Sequence, residues 1–164
     1  MLTAMETYVV DGDGWSRDEV VSVCRSVLTA VQGRAVEFEC DVPGDPGNRS
    51  DTGDWPEDVR AAARVLRSLP SARIERGGYG QTGVVEGASG RVREAFVTFA
   101  PWAFDASVWS ADAGAPVRLA DEGTSLVVEL EPSEREVIAG IVGVDRLVPL
   151  REWRRRHRWF RRGR

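Results

Sequence analysis

Glu37, Glu39 and Asp41 alternate with Val36, Phe38, Cys40 and Val42, the pattern of a strand with one face in water and the other in a core. Every side chain on the expected wet face is a carboxylate. The segment that follows, Pro43 to Trp55, adds Asp45, Asp51 and Asp54 and ends on a tryptophan. Carboxylates at this density draw in a basic surface from a distance, and a neighbouring aromatic supplies the apolar area that anchors it. With Tyr79 from a glycine-rich stretch further on, Glu37, Glu39, Asp41, Asp45, Asp51, Asp54 and Trp55 form the candidate partner-binding set. The bland alternative is that these carboxylates only keep the protein soluble. A hard cation held by Asp45, Asn48, Asp51 and Asp54 has no recognisable ligand spacing behind it, so no metal or cofactor is expected.

Positive charge collects at the other end of the chain. Residues 151–164, REWRRRHRWFRRGR, hold eight arginines against one glutamate, +7 with His157 neutral; residues 1–150 hold 14 arginines against 25 acids, or −11. From Pro149 onward Leu150, Trp153, His157 and Phe160 recur every three or four residues, with Leu147 just before them, as on an amphipathic helix. Three chemistries follow. The helix packs its Trp153 and Phe160 edge on the domain while its arginines pair with the acidic body. Alternatively Arg154, Arg155, Arg156, Arg158, Arg161 and Arg162 grip nucleic-acid phosphates with Trp159 stacking on a base. In the third, the same residues attract anionic membrane headgroups.

Much catalytic chemistry is excluded by composition. The chain has no lysine, so Schiff bases and lysine-assisted phosphoryl transfer are ruled out, and its sole histidine, His157, leaves no multi-histidine zinc site. Gly78-Tyr79-Gly80-Gln81-Thr82-Gly83-Val84 satisfies G-x-G-x-x-G, yet the lysine of a kinase loop is missing and strand-like residues replace the helix of a dinucleotide loop. A glycine-rich hairpin with Tyr79 at its tip is expected instead. Asp11-Gly12-Asp13-Gly14 begins like a calcium loop, but Trp15, Ser16 and Ser22 stand where a ligand, glycine and glutamate are needed. An enzyme built on carboxylates and arginine alone would draw on Glu75, Glu86, Glu94 and Glu129, and no spacing selects a pair among them.

The elements that position these residues are read from periodicity. A strand over Met5–Val10 leads to a capping box at Ser16–Glu19 and a helix in which Val20, Val23, Cys24, Val27, Leu28 and Val31 face inward. Asp54 is expected to cap a helix with Pro56 in its first turn and Val59, Ala62, Ala63, Leu66 and Leu69 as its stripe. Strands are expected at 72–76 and 82–86, and Arg91–Trp102, apolar on both sides of a two-residue period, reads as the central strand. A short strand near Phe104–Trp109, a hairpin around Asp121-Glu122-Gly123 and a third helix with Val137, Ile138, Ile141 and Val142 inward complete the domain.

The expected fold is α+β: a single domain with a largely antiparallel sheet, three packed helices and a basic C-terminal amphipathic helix. Residues 1–148 form the acidic globular part and 149–164 the arginine-rich helix or tail. At 164 residues the chain buries enough surface to need no staple, and Cys24 and Cys40 read as core residues. No secretory or spanning segment is visible, and the cytoplasm is the expected compartment. The expected function is non-catalytic protein binding by a small acidic inhibitor or immunity-type protein that meets a basic protein partner. The alternative is a nucleic-acid or anionic-membrane binder acting through the C-terminal arginines.

Overall fold

The computed structural model describes residues 5–43, 55–69, 72–74, 79–86, 90–112 and 114–157. Among them, strands β1 (Glu6–Val10), β2 (Ala35–Pro43), β3 (Ala72–Ile74), β4 (Tyr79–Glu86), β5 (Asp105–Ser110), β6 (Val117–Ala120), β7 (Ser125–Leu130) and β8 (Leu147–Pro149) form one sheet. Its order is β3-β4-β2-β5-β6-β7-β1-β8, and each neighbouring pair is antiparallel. The architecture is α+β, as the alternation of hairpins and amphipathic segments predicts.

Four helices pack against one face of the sheet: α1 (Arg17–Ala30), α2 (Glu57–Arg67), α3 (Gly90–Phe99) and α4 (Pro132–Val142). α1 lies against α4, and α2 against α3. The capping box that opens α1 is formed as expected, with the Ser16 hydroxyl accepting from the Glu19 amide at 3.3 Å and the Ser16 amide donating to the Glu19 carboxylate at 2.7 Å. That carboxylate is held below its usual range, first by the Ser16 amide and then by its hydroxyl. Val20, Cys24, Val27 and Leu28 of α1 are buried with Val59, Ala62, Ala63 and Leu66 of α2. A short helix, α5 (Leu150–His157), contacts β1 and β8.

The largest departure from the sequence pattern is Arg91–Trp102. It forms helix α3 followed by a tight 3₁₀ turn over Ala100–Trp102, and not the central strand. Ala95, Phe96 and Phe99 are buried, and Val92 is packed against the same core, a spacing of three and four that fits a helical face. Phe96 meets Phe38 of β2 with ring centroids 4.8 Å apart, and Phe99 takes the edge of Trp55 at 5.2 Å. Burial of the two phenylalanines contributes roughly 1.5–3 kcal/mol each. Val97 is only partly buried, so the contribution of this stretch to the core comes from the helical layer.

Smaller corrections have local causes. Val36 was expected in the core and is 40% exposed, because a bulge between Ala35 and Glu37 inserts it as an extra residue against β5. Tyr79 opens strand β4 opposite Pro43 and does not cap a hairpin tip; Gly80 and Gly83 also lie within that strand. The β2–β4 register slips so that Gly83 and Val84 together oppose Glu39, a bulge that glycine accommodates readily. Pro56 is the residue before α2 and not part of its first turn, while Asp54 lies outside the described residues. In α4, Ile138 and Val142 are buried but Val137 is 56% exposed. Leu147 belongs to β8 and packs into the main core, so it is not part of the C-terminal helix.

Candidate functional site: the open face of the sheet

Alternation along each strand divides the sheet into a covered face and a second face. Tyr8, Val10, Ala106, Val108, Val117, Leu119, Leu126, Val128 and Leu130 join the core under the helices. Their neighbours Val9, Ser107, Trp109, Arg118, Val127 and Glu129 therefore stand on the opposite side. The register places Val148, Val9, Val127 and Arg118 in one row across β8, β1, β7 and β6, and continues it through Ser107 of β5 to Glu39 of β2. The row begins apolar and ends acidic.

α5 closes the apolar end. Val9 and Val148 are only 6% and 3% exposed although they point away from the main core, because α5 lies over β1 and β8. Trp153 and Leu150 of α5 face Val9, Val127, Asp11 and Asp13 across a groove of roughly 540 Å³. The rim of that groove is pinned by Arg146, whose guanidinium donates to the carbonyl oxygens of Asp11 at 2.9 Å and Asp13 at 3.0 Å.

The acidic end has no helix over it among the described residues. Glu39 is exposed, and Glu37 and Asp41 are half-buried on β2. Trp109 of β5 pairs in register with Glu37 and donates its indole N–H to Glu39 at 3.3 Å. Arg118 of β6 sits 5.9 Å from the Trp109 ring centroid, at the outer reach of a cation–π contact. Just beyond β5, Asp112 is held below the usual carboxylate range by the Ser110 hydroxyl and then by the Gly114 amide. The result is a half-exposed aromatic on an uncovered stretch of sheet, with Glu37 and Glu39 beside it on β2 and Arg118 beside it on β6.

The residues singled out in the sequence are distributed unevenly over this surface. Glu37, Glu39 and Asp41 share the open face, and the register brings the backbone of Tyr79 next to the end of β2. Trp55 does not join them, because it packs on Phe99 in the helical layer. Asp45, Asp51 and Asp54 lie outside the described residues, as do Arg158, Trp159, Arg161 and Arg162. Trp109 and Arg118 escaped the sequence reading. Trp109 is recognisable as a strand residue beside the inward Val108, but only the pairing of β5 with β2 reveals its acidic neighbours.

On α5, Arg154, Arg155 and Arg156 are exposed. Arg156 pairs with Glu152 within the helix, and Arg151 reaches Glu6 of β1 at 3.7 Å. Arg154 and Arg155 make no ion pair with the described residues. His157 stacks on Trp153 with centroids 3.9 Å apart, and its Nδ1 lies 2.9 Å from the Trp153 carbonyl oxygen. Trp153 thus packs onto the domain, while Phe160, expected on the same edge, lies outside the described residues; of the arginines on the described helix only Arg151 reaches the acidic body.

The carboxylates considered for catalysis are not gathered. Glu94 lies exposed on α3, not on a strand, and Glu129 stands on the other face of the sheet. Glu86 is at the end of β4, and Glu75 lies outside the described residues. Among the described residues no three His, Cys, Asp or Glu side chains are grouped as metal ligands, and no helix is long and apolar enough to cross a membrane. Comparison with protein-family models, curated proteins and solved structures finds no match. The functional reading therefore rests on the chemistry of the surface.

Proposed function

We propose that this chain is a non-catalytic protein-binding module whose acidic half-face docks a basic protein, in the manner of a small inhibitor or immunity-type protein. The observation that supports this reading is Trp109, half-exposed on an uncovered sheet and flanked by Glu37 and Glu39. A tryptophan is among the residues that most often anchor a binding hot spot, and the neighbouring carboxylates accelerate encounter with a cationic surface. The test is capture from an extract of the source cells at low salt, comparing the wild type with a Glu37→Arg, Glu39→Arg, Asp41→Arg variant. A basic protein retained stoichiometrically by the wild type and lost by the variant is the expected result. Equal retention by both, or no retained protein, removes this reading.

A second reading, polyanion binding through α5, draws support from the exposure of Arg154 and Arg155 and their lack of ion pairs with the described residues. Single-stranded RNA or DNA and acidic vesicles are the two probes. Salt-sensitive binding to one of them that disappears in an Arg154→Glu, Arg155→Glu variant supports this reading and distinguishes nucleic acid from membrane; unchanged binding excludes it.

A further inference from the structure

We propose that the basic partner of the acidic half-face is a second copy of this chain, joined about a two-fold axis parallel to the strands. The helix α5 of each copy lies on β2 and β5 of the other. This rests on the reading of the acidic half-face as a docking surface for a basic protein, and it names that protein.

Charge complementarity within one chain is the first argument. The acidic strip and the arginine-bearing helix occupy the same face of the sheet at opposite ends, β2 on one side and β1–β8 on the other. A two-fold axis running along the strands between them turns two such faces toward each other and exchanges the ends. Each α5 then meets the other copy's acidic strip, and both contacts are made at once. Such a self-complementary contact closes at two copies.

The dimensions agree. From β1 to β2 the sheet takes four strand steps, through β7, β6 and β5, which span about 19 Å at about 4.8 Å each. A helix with its side chains is about 10 Å across, so a second α5 fits beside the first without displacing it. The two helices form a layer between the sheets, each resting on Val9 and Val148 of its own chain.

The side chains left over in one copy match those left over in the other. Arg154 and Arg155 make no ion pair with described residues of their own chain, while Glu39 and the half-buried Glu37 are uncovered. Trp109 offers a ring on which an arriving guanidinium can stack, as Arg118 approaches it at 5.9 Å from within the chain. The helix is held away from its own chain's acidic strip because β8 and the Arg151–Glu6 contact fix it over β1. Pairing between copies is the arrangement that brings the opposite charges together.

Sedimentation velocity of the full chain tests this with two variants, Glu37→Arg with Glu39→Arg, and Arg154→Glu with Arg155→Glu. The wild type is expected to double in mass with rising concentration at about 0.1 M salt and to revert to single copies at about 1 M, where screening shortens from about 10 Å to about 3 Å. Each variant alone is expected to associate at least tenfold more weakly, with an unchanged circular dichroism spectrum. Mixing the two variants restores the doubled mass, because both contacts then regain opposite charges. A wild type that stays single throughout, a variant that pairs as well as the wild type, a mixture that fails to pair, or growth beyond two copies overturns the proposal. If self-pairing fails while a different basic protein is still lost on reversing Glu37 and Glu39, only the identity of the partner is wrong. Failure of both captures removes the docking surface as well.

Discussion

Trp109 donates its indole N–H to Glu39 although Glu37 is its registered partner on β2. The contact is a diagonal one across the antiparallel pair, within reach of a long aromatic side chain. It turns the indole along the acidic strip and leaves part of the ring facing solvent.

Replacing Trp109 by alanine is therefore expected to affect association far more than folding. A half-exposed side chain on the open face of the sheet changes the unfolding free energy by only about 1 kcal/mol, whereas loss of an anchor costs about 2 kcal/mol or more in binding, roughly thirtyfold. Trp109→Phe retains the ring and loses the N–H to Glu39, so it should fall between the two. Urea titrations and sedimentation equilibrium on the same samples check both parts.

Helix α3 makes a sharper stability prediction. Phe96 and Phe99 are fully buried, so Phe96→Ala is expected to cost about 3–5 kcal/mol, while Glu94→Ala on the exposed side should change little. Comparable losses at both positions, measured by urea unfolding, would contradict the helical packing.

The turn between β6 and β7 holds Asp121, Glu122 and Gly123 at φ of 50°, 57° and 79°. A β-carbon on Gly123 would stand 3.1 Å from Cys24 Sγ and 3.2 Å from the Pro101 carbonyl oxygen, so Gly123→Ala should destabilise through both conformation and crowding. Glu122→Gly should do the opposite, because it relieves a left-handed residue and retains the backbone carbonyl that Arg17 grips. Thermal unfolding of the two variants is expected to shift in opposite directions.

Cys24 makes the alkaline limb of the stability curve predictable. Burial pushes its thiol from 9.0 up to about 12, against a small opposing effect of Arg17. The folded state then keeps a proton that the unfolded state releases, so stability is complete below about pH 9 and falls as the pH rises toward 12. Tyr8, raised by burial and by Glu6, acts in the same direction at higher pH. Urea midpoints at increasing pH should decline in the wild type and decline less in Cys24→Ala; the folded wild type should also resist thiol reagents at neutral pH.

Local periodicity made most of the element order legible: the capping box at Ser16, the alternation in β2 and β7, and the stripe of α2 from Val59 to Leu66 all appear in the structure, while Leu69 falls just past the helix end at Arg67. Arg91–Trp102 failed because Ala95, Phe96 and Phe99 fit either a two-residue or a helical period, and the choice depends on whether Phe96 meets Phe38 from a helix or from a neighbouring strand. A bulge displaces Val36, and a bulge depends on the pairing partner and leaves no trace in one strand's alternation; Tyr79 differs because β4 begins at it, through glycines that read as a turn. The acidic strip could be read because its charges lie on one strand. Its tryptophan arrives from β5, so only the register could supply it.

The placement of β1 bears on how the chain is made. Glu6–Val10 bonds on one side to residues 126–130 and on the other to 147–149, so its ladder cannot be complete until residue 149 has been synthesised, more than 135 residues after the strand itself. At about 5–20 residues per second that delay is on the order of ten seconds, during which Tyr8-Val9-Val10 lacks both strand partners. Glu6 and Asp11 bracket this apolar tripeptide, and flanking charges of this kind disfavour pairing with another chain.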